Sequence, residues 1–558
     1  MGTAAGFRDV EPLHELIDPP LDRLGEPLTF KACINAHGMY ETMRFVLRLS
    51  PKNHEIMNSI EFGIRDFNDL TNEQIQCYST YLHETVHWWQ HVGSTSGLVL
   101  SLSYLAQTHS SLGELKNVLS QFGPKKSLKR FADEMLMNEG ESAQSKLKSA
   151  NISVNNALDV EYYKAFAMSP VSTAKWLGEQ VHFECVGHGY SVAYGQLVGM
   201  IAKSVDPDFA VLPGGSHWDD NFLRLRNQKA LGFYWGSPIR VPPLGIHAVY
   251  EGQARFIQLQ FLNATRLNSP SVDDWRQWGY FEGIYVEAFD TFLNLTESAW
   301  PDTISDPIVS LFLLVCDLSI NPSRGFPLEI EKFENFIDDV DVGIRFFKLS
   351  DAVRRNPDLK NSIKNHSREE YVNLSEKLAE AAKIDSPIKA LETVLGWGEQ
   401  IPGLKGLMEE HSKFEYNAEN LPIRVLFSHF IAFARDKFRR PEFFCWPAAW
   451  LVGNPVGADV AALWLRHLSL FTDRGDKPGV YPRIWPDRDP AAVQETFETF
   501  YQSMALYNLT RQWILFDGPF KCNFEWLAEK YSQEQADSWA SSVFKQVFGV
   551  DITDFSCY

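Results

Sequence analysis

The stretch His83-Glu84-Thr85-Val86-His87, set inside residues 71–93, decides how this chain is read. Thr71-Asn72-Glu73-Gln74 has the form of a capping box, with Thr71 as N-cap and Gln74 at the third helical position. Ile75, Tyr78, Leu82, Val86 and Trp89 then recur at three- and four-residue steps, which is one apolar stripe of a helix. Gly93 supplies a stop. Within such a helix His83 and His87 lie on one face, one turn apart, so both imidazoles can reach a single metal ion. Glu84 projects about 100° around the axis. From there it can hydrogen-bond a water on the metal, the general-base arrangement of zinc hydrolases. Tyr81, Leu82, Thr85, Val86, Trp88 and Trp89 are all uncharged, and a dry wall leaves the charge of a metal unscreened.

A catalytic zinc needs a third protein ligand and an open position. His91 fails on geometry, because it lies roughly 12 Å along the axis from His83. It is read as an outer or helix-end residue. The longer H-E-x-x-H-x-x-G-x-x-H pattern is absent, since position 90 is Gln and position 93 is Gly.

A second motif lies far downstream, in Ile246-His247-Ala248-Val249-Tyr250-Glu251-Gly252-Gln253-Ala254-Arg255-Phe256. Here the chain resembles the gluzincins, zinc metallopeptidases in which H-E-x-x-H on one helix is completed by a Glu on a second, often in an E-G-x-A-like context. The resemblance implies His83, His87 and Glu251 as Zn2+ ligands and Glu84 as base, on a zincin-like core. Gly252 and Ala254 are expected to let the two helices approach. One departure stands out: many gluzincins carry an Asp four residues after the ligand Glu, and this chain has Arg255. Glu251 and Arg255 can also be read as a simple i,i+4 helical ion pair. Two other carboxylates compete for the third position, Glu184 in residues 182–188 and Glu287 in residues 285–290. A donor for the developing oxyanion is also needed. His247 is the first choice on helical phase, with Tyr250, Tyr190 and Tyr194 as alternatives.

Composition bounds the rest. With 558 residues, 45% hydrophobic and 13% aromatic, the chain can bury large cores and is expected to form several domains. Residues 1–30 carry Glu, Asp and Pro without an apolar core, so no signal peptide is expected. Residues 307–316 form the longest apolar stretch, about half of a membrane span. Seven scattered cysteines, none in C-x-x-C, argue for a reducing compartment and against a thiolate zinc site. A cytoplasmic location follows as an expectation. The 71 acidic against 52 basic residues give a net charge of −19, which disfavours nucleic acid and anionic membranes as partners. The basic run at residues 435–440 reads as a solvated helix end.

The expected fold is α+β and mostly helical, in four parts. Residues 1–70 are β-rich, with strand-like segments at 41–49 and 59–64. Residues 71–300 form the zincin-like metal-binding catalytic domain. Residues 301–420 form an accessory helical region, and residues 421–558 an aromatic-rich helical one. A sheet just before the metal helix can present an edge strand to an extended peptide. The functional expectation is a zinc-dependent metallopeptidase acting on a cytosolic protein or peptide substrate, with a regulatory protein partner to restrain it. Two alternatives share the residues: a non-haem iron oxygenase modifying a peptide through the same His/His/Glu set, and a non-catalytic metal-stabilised binding protein.

Overall fold

Thr71 caps its helix as the sequence predicts. Its Oγ1 accepts from the Gln74 amide at 3.2 Å while Gln74 Oε1 accepts from the Thr71 amide at 2.9 Å. In the computed structural model the helix runs Asn72–Gly93 and is called here the histidine helix. The structure describes residues 11–17, 36–60, 70–266, 269–452, 457–524, 527 and 532–558. Helix makes up 68% and strand 4%, a mostly helical α+β protein with a small sheet.

The histidine helix departs from the expected one-sided stripe. From Ser79 onward every side of it is buried, because it has neighbours all round. The helices Thr95–Phe122, Ile246–Ala264 and Leu421–Arg439 pack on it, as does the strand Gly38–Glu41. Trp88 is fully buried and meets Tyr40 and His429 edge-on. Trp89 packs on Phe443, Phe444 and Trp464, and its Nε1 donates to the His467 carbonyl at 2.8 Å. Truncating such a tryptophan costs about 3–5 kcal/mol, so these two rings fix the rotation of the helix as well as its position.

The chain then turns sharply. Ser94 caps the next helix and donates back to the Gln90 carbonyl at 2.6 Å. A β-carbon on Gly97 would stand 1.9 Å from that same carbonyl oxygen, so only glycine permits the corner. Lys437 Nζ donates to the Gly93 carbonyl at 2.7 Å, satisfying one of the orphan carbonyls at the helix end. The run 435–440 is therefore only partly solvated, with Asp436 and Lys437 buried. Those two side chains serve the core.

The Ile246–Ala264 helix, called here the glutamate helix, starts after Gly245. A β-carbon on Gly252 would stand 3.0 Å from Ala288 Cβ and 3.4 Å from Phe312. The small residue thus admits the Ile284–Thr296 and Pro307–Ile320 helices, and not the histidine helix as the motif implied. The predicted apolar stretch at 307–316 is the buried helix Pro307–Ile320, and among the described residues no helix is long and apolar enough to cross a membrane.

Segment 41–49 divides into a hairpin: β1 (Gly38–Glu41) and β2 (Val46–Leu49) are antiparallel, with Gly38 opposite Leu49 and Glu41 opposite Val46. Four turn residues interrupt the expected single strand, and Phe45 takes φ 61° there. Pro51–Asn58 is helical, because Ser50 caps it and Pro51 opens it. Ser59 and Ile60 of the second expected strand follow that helix in a turn and bend, and residues 61–64 lie outside the described residues. A two-residue pair, β3 (Lys125–Lys126) and β6 (Ser556–Cys557), is parallel. The main sheet is completed from the other end of the chain. β4 (Phe471–Thr472) pairs parallel with β2, and β5 (Tyr481–Pro482) antiparallel with β4, giving the order β1-β2-β4-β5. Among the described strands β1 is an edge, next to the histidine helix. The described cysteines form no disulfide with one another; five are buried and Cys557 is exposed.

Candidate metal centre

His83 and His87 project from one side of the histidine helix, and Glu251 faces them from the glutamate helix. The two Nε2 atoms are 3.1 Å apart, and Glu251 Oε2 is 3.5 Å from His83 Nε2 and 3.4 Å from His87 Nε2. In a tetrahedral zinc site with bonds of about 2.1 Å, two ligand atoms stand roughly 3.4 Å apart. Two imidazoles and a carboxylate at this spacing fit a divalent transition metal. Among the described residues no other trio of His, Cys, Asp or Glu gathers this way.

The centre is nearly closed to solvent: His83 and Glu84 are 4% exposed, Glu251 7% and His87 8%. Burial and the close approach of the three groups set their protonation. Burial opposes an imidazolium at His87, yet Glu251, with Glu84 adding to it, pushes that pKa up to about 9. Burial, aided by the neighbouring His87, pushes His83 down to about 4. Burial also opposes the Glu251 carboxylate, but the two imidazoles hold it ionised well below the usual range.

Glu84 lies under the edge of the sheet. A β-carbon on Gly38 of β1 would stand 2.7 Å from Glu84 Cγ and 2.8 Å from its Oε1. Leu49, opposite Gly38, turns its amide away from β1 to Asp473 Oδ1 at 3.1 Å, while the Ser50 amide donates to the His37 carbonyl at 2.9 Å. By the alternation of an antiparallel pair, the peptide groups of Gly38 and Tyr40 point away from β2.

The remaining expected residues sort by position. His247 borders the centre, with Nε2 3.8 Å from Glu251 Oε1, and its side chain, 37% exposed, is the most open of the group. Tyr250 points elsewhere, donating to the Gln90 carbonyl at 3.2 Å. Tyr190 donates to Asp341 at 2.5 Å and Tyr194 packs edge-on to Phe336, so neither joins the site. His91 is buried against Tyr40 and Tyr250 and does not join the trio. Glu184 pairs with Arg226 at 3.2 Å and Glu287 is exposed, so neither reaches the two histidines. Arg255 is not the ion-pair partner of Glu251. Its guanidinium lies over the Tyr285 ring at 3.8 Å and near Tyr280 at 5.5 Å, and Nη1 donates to Gln258 at 2.7 Å. Tyr285 in turn stands edge-on to His83.

Two contributors escaped sequence reading. Gly38 carries no chemistry that a motif could flag. Gln90 is three residues after His87, on the same side of the helix, and its Oε1 is 2.7 Å from His87 Nδ1. That spacing was available as a signal. A cavity lined by Gly93, Asp317, Tyr371, Phe430 and Lys437 lies at the far end of the histidine helix and includes none of the trio. No known protein family, curated protein or solved structure matches this chain.

Proposed function

We propose that this protein is a zinc-dependent metallopeptidase of gluzincin type, acting in the cytoplasm on a protein or peptide. One observation carries the reading. His83 Nε2, His87 Nε2 and a Glu251 oxygen lie within 4.8 Å of one another, with Glu84 directly after the first histidine. A purely structural site has no use for a buried carboxylate beside its ligands.

His83, His87 and Glu251 would hold the zinc, which would supply Lewis-acid activation of a water and of the scissile carbonyl. Glu84 accepts the proton of the attacking water and delivers it to the leaving amine. The low exposure of Glu84 keeps competing water away from this transfer. His247, at the open side, donates to the oxygen on which charge develops. The outward peptide groups of Gly38 and Tyr40 receive an extended substrate by strand addition, above Glu84. The zincin-like core belongs to the same proposal, supported by a histidine helix under an edge strand and a glutamate helix facing it. A regulatory protein partner remains part of the reading, since a cytosolic peptidase has to be restrained.

The test is elemental analysis of the purified chain joined to a peptide-library digest. About one zinc per chain, with cleavage lost on chelation and restored by zinc, is the expected result. Iron at comparable occupancy would move the assignment to an oxygenase, and the absence of any bound transition metal would overturn it.

A further inference from the structure

We infer that Gln90 is the positioning residue that sets the tautomer of His87, so that its Nε2 lone pair is directed at the metal. This rests on the metal-centre reading above. Gln90 is 2% exposed, and its whole amide is bonded to protein atoms.

The orientation of that amide is settled by its partners. One end faces the Tyr250 carbonyl oxygen at 3.0 Å and Gln253 Oε1 at 2.9 Å. A backbone carbonyl only accepts, so the Gln90 NH2 is at that end and its oxygen must face His87. The oxygen also only accepts, so His87 Nδ1, 2.7 Å away, carries the hydrogen. A neutral imidazole protonated at Nδ1 keeps its lone pair on Nε2, the atom that faces His83 and Glu251. Tyr250, through its peptide carbonyl, thus selects the ligand atom of His87 by way of one glutamine. Since Tyr250 immediately precedes Glu251, the same side chain also ties the two ligand-bearing helices together.

Among the described residues His83 has no such partner. Its Nδ1 is buried without a hydrogen bond, and an edge contact with Tyr285 holds its ring. Hydrogen-bonded outer support of the two imidazoles therefore falls on His87, through Gln90.

The experiment measures zinc affinity by chelator competition for the full chain and for Gln90→Leu, Gln90→Glu and Gln253→Leu. Thermal unfolding of each metal-free protein checks that it is folded. Gln90→Leu removes the acceptor and is expected to weaken zinc by about 10–100-fold. Gln90→Glu keeps an acceptor for Nδ1–H but sets its second oxygen against the Tyr250 carbonyl, and is expected to lose clearly less than the leucine variant. Gln253→Leu breaks a hydrogen bond between the helices without touching His87, and should stay near wild type. Wild-type affinity in Gln90→Leu would overturn the inference. So would equal losses in Gln90→Leu and Gln253→Leu, which would make Gln90 a tie between helices. A loss in Gln90→Glu as large as that expected of the leucine variant would overturn it too, and this arm stays informative if the leucine variant does not fold. Failure of wild type itself to bind zinc is a different result, one that removes the metal-centre reading.

Discussion

Gly38 and Glu84 touch across the gap between the sheet edge and the histidine helix, so closely that a β-carbon on Gly38 would stand 2.8 Å from Glu84 Oε1. The same carbon would stand 2.7 Å from Thr80 Cγ2. The edge strand and the proposed base are therefore a matched pair, and neither can shift without moving the other.

Gly38→Ala is expected to displace Glu84 or to lift β1. Overpacking of this size costs about 1–3 kcal/mol of stability. Cleavage should fall at least tenfold, since a misplacement near 1 Å costs about 10²-fold in a positioned reaction. Zinc content should not change, because the three ligands approach from other residues. Paired measurement of hydrolysis rate and metal content checks this; zinc loss in parallel with activity would contradict it.

The third ligand is tested by comparing carboxylates. Glu251→Ala should weaken zinc retention far more than Glu184→Ala or Glu287→Ala. Only Glu251 stands beside both histidines, while Glu184 is engaged with Arg226. His83→Ala and His87→Ala should lose the metal altogether. Equal chelator resistance in Glu251→Ala and wild type would remove Glu251 from the centre.

Glu84→Gln separates mechanism from binding. It preserves size but cannot accept a proton, so the rate should drop by about 10²–10⁴ while zinc stays bound. The variant should also retain intact substrate, and co-purified proteins compared with wild type by mass spectrometry would reveal it. Full proteolysis by a folded, zinc-loaded Glu84→Gln protein would refute the role given to Glu84.

Acid stability follows from histidines away from the centre. Burial pushes His109 down to about 4 and His429 to about 3, against 6.5 for an unperturbed ring. The folded pKa is the lower one, so the unfolded chain binds more protons below pH 6.5. Stability is full above pH 6.5 and is lost as pH falls towards the folded values. At pH 5.5 each ring should cost about 1.4 kcal/mol. In urea titrations the drop between pH 7.5 and 5.5 should be smaller by about 3 kcal/mol in His109→Gln/His429→Gln than in wild type. An unchanged pH slope would show that neither ring stays neutral in the folded chain.

What the sequence determined by itself is the local part of the centre. The Thr71–Gln74 cap, the spacing of His83 and His87 and the placement of Glu84 all follow from bonds within one helix, whose geometry repeats every 3.6 residues. Glu251 was legible only through a motif. Its choice over Glu184 and Glu287 depends on which helices meet, and meeting is decided by side-chain packing between segments far apart in the chain. The same holds for Gly252, which admits Ala288 and not the histidine helix. It holds for β4, whose Phe471 pairs with Val46 to complete a sheet begun hundreds of residues earlier. Strand-like β-branched and aromatic content marked the 41–49 region but could not reveal its turn, because Phe45 adopts a left-handed backbone that no turn residue announces. Gln90 shows the division within one side chain. Its distance from His87 is written in the helix, whereas the direction of its amide is set by the Tyr250 carbonyl, which only the tertiary structure brings within 3.0 Å.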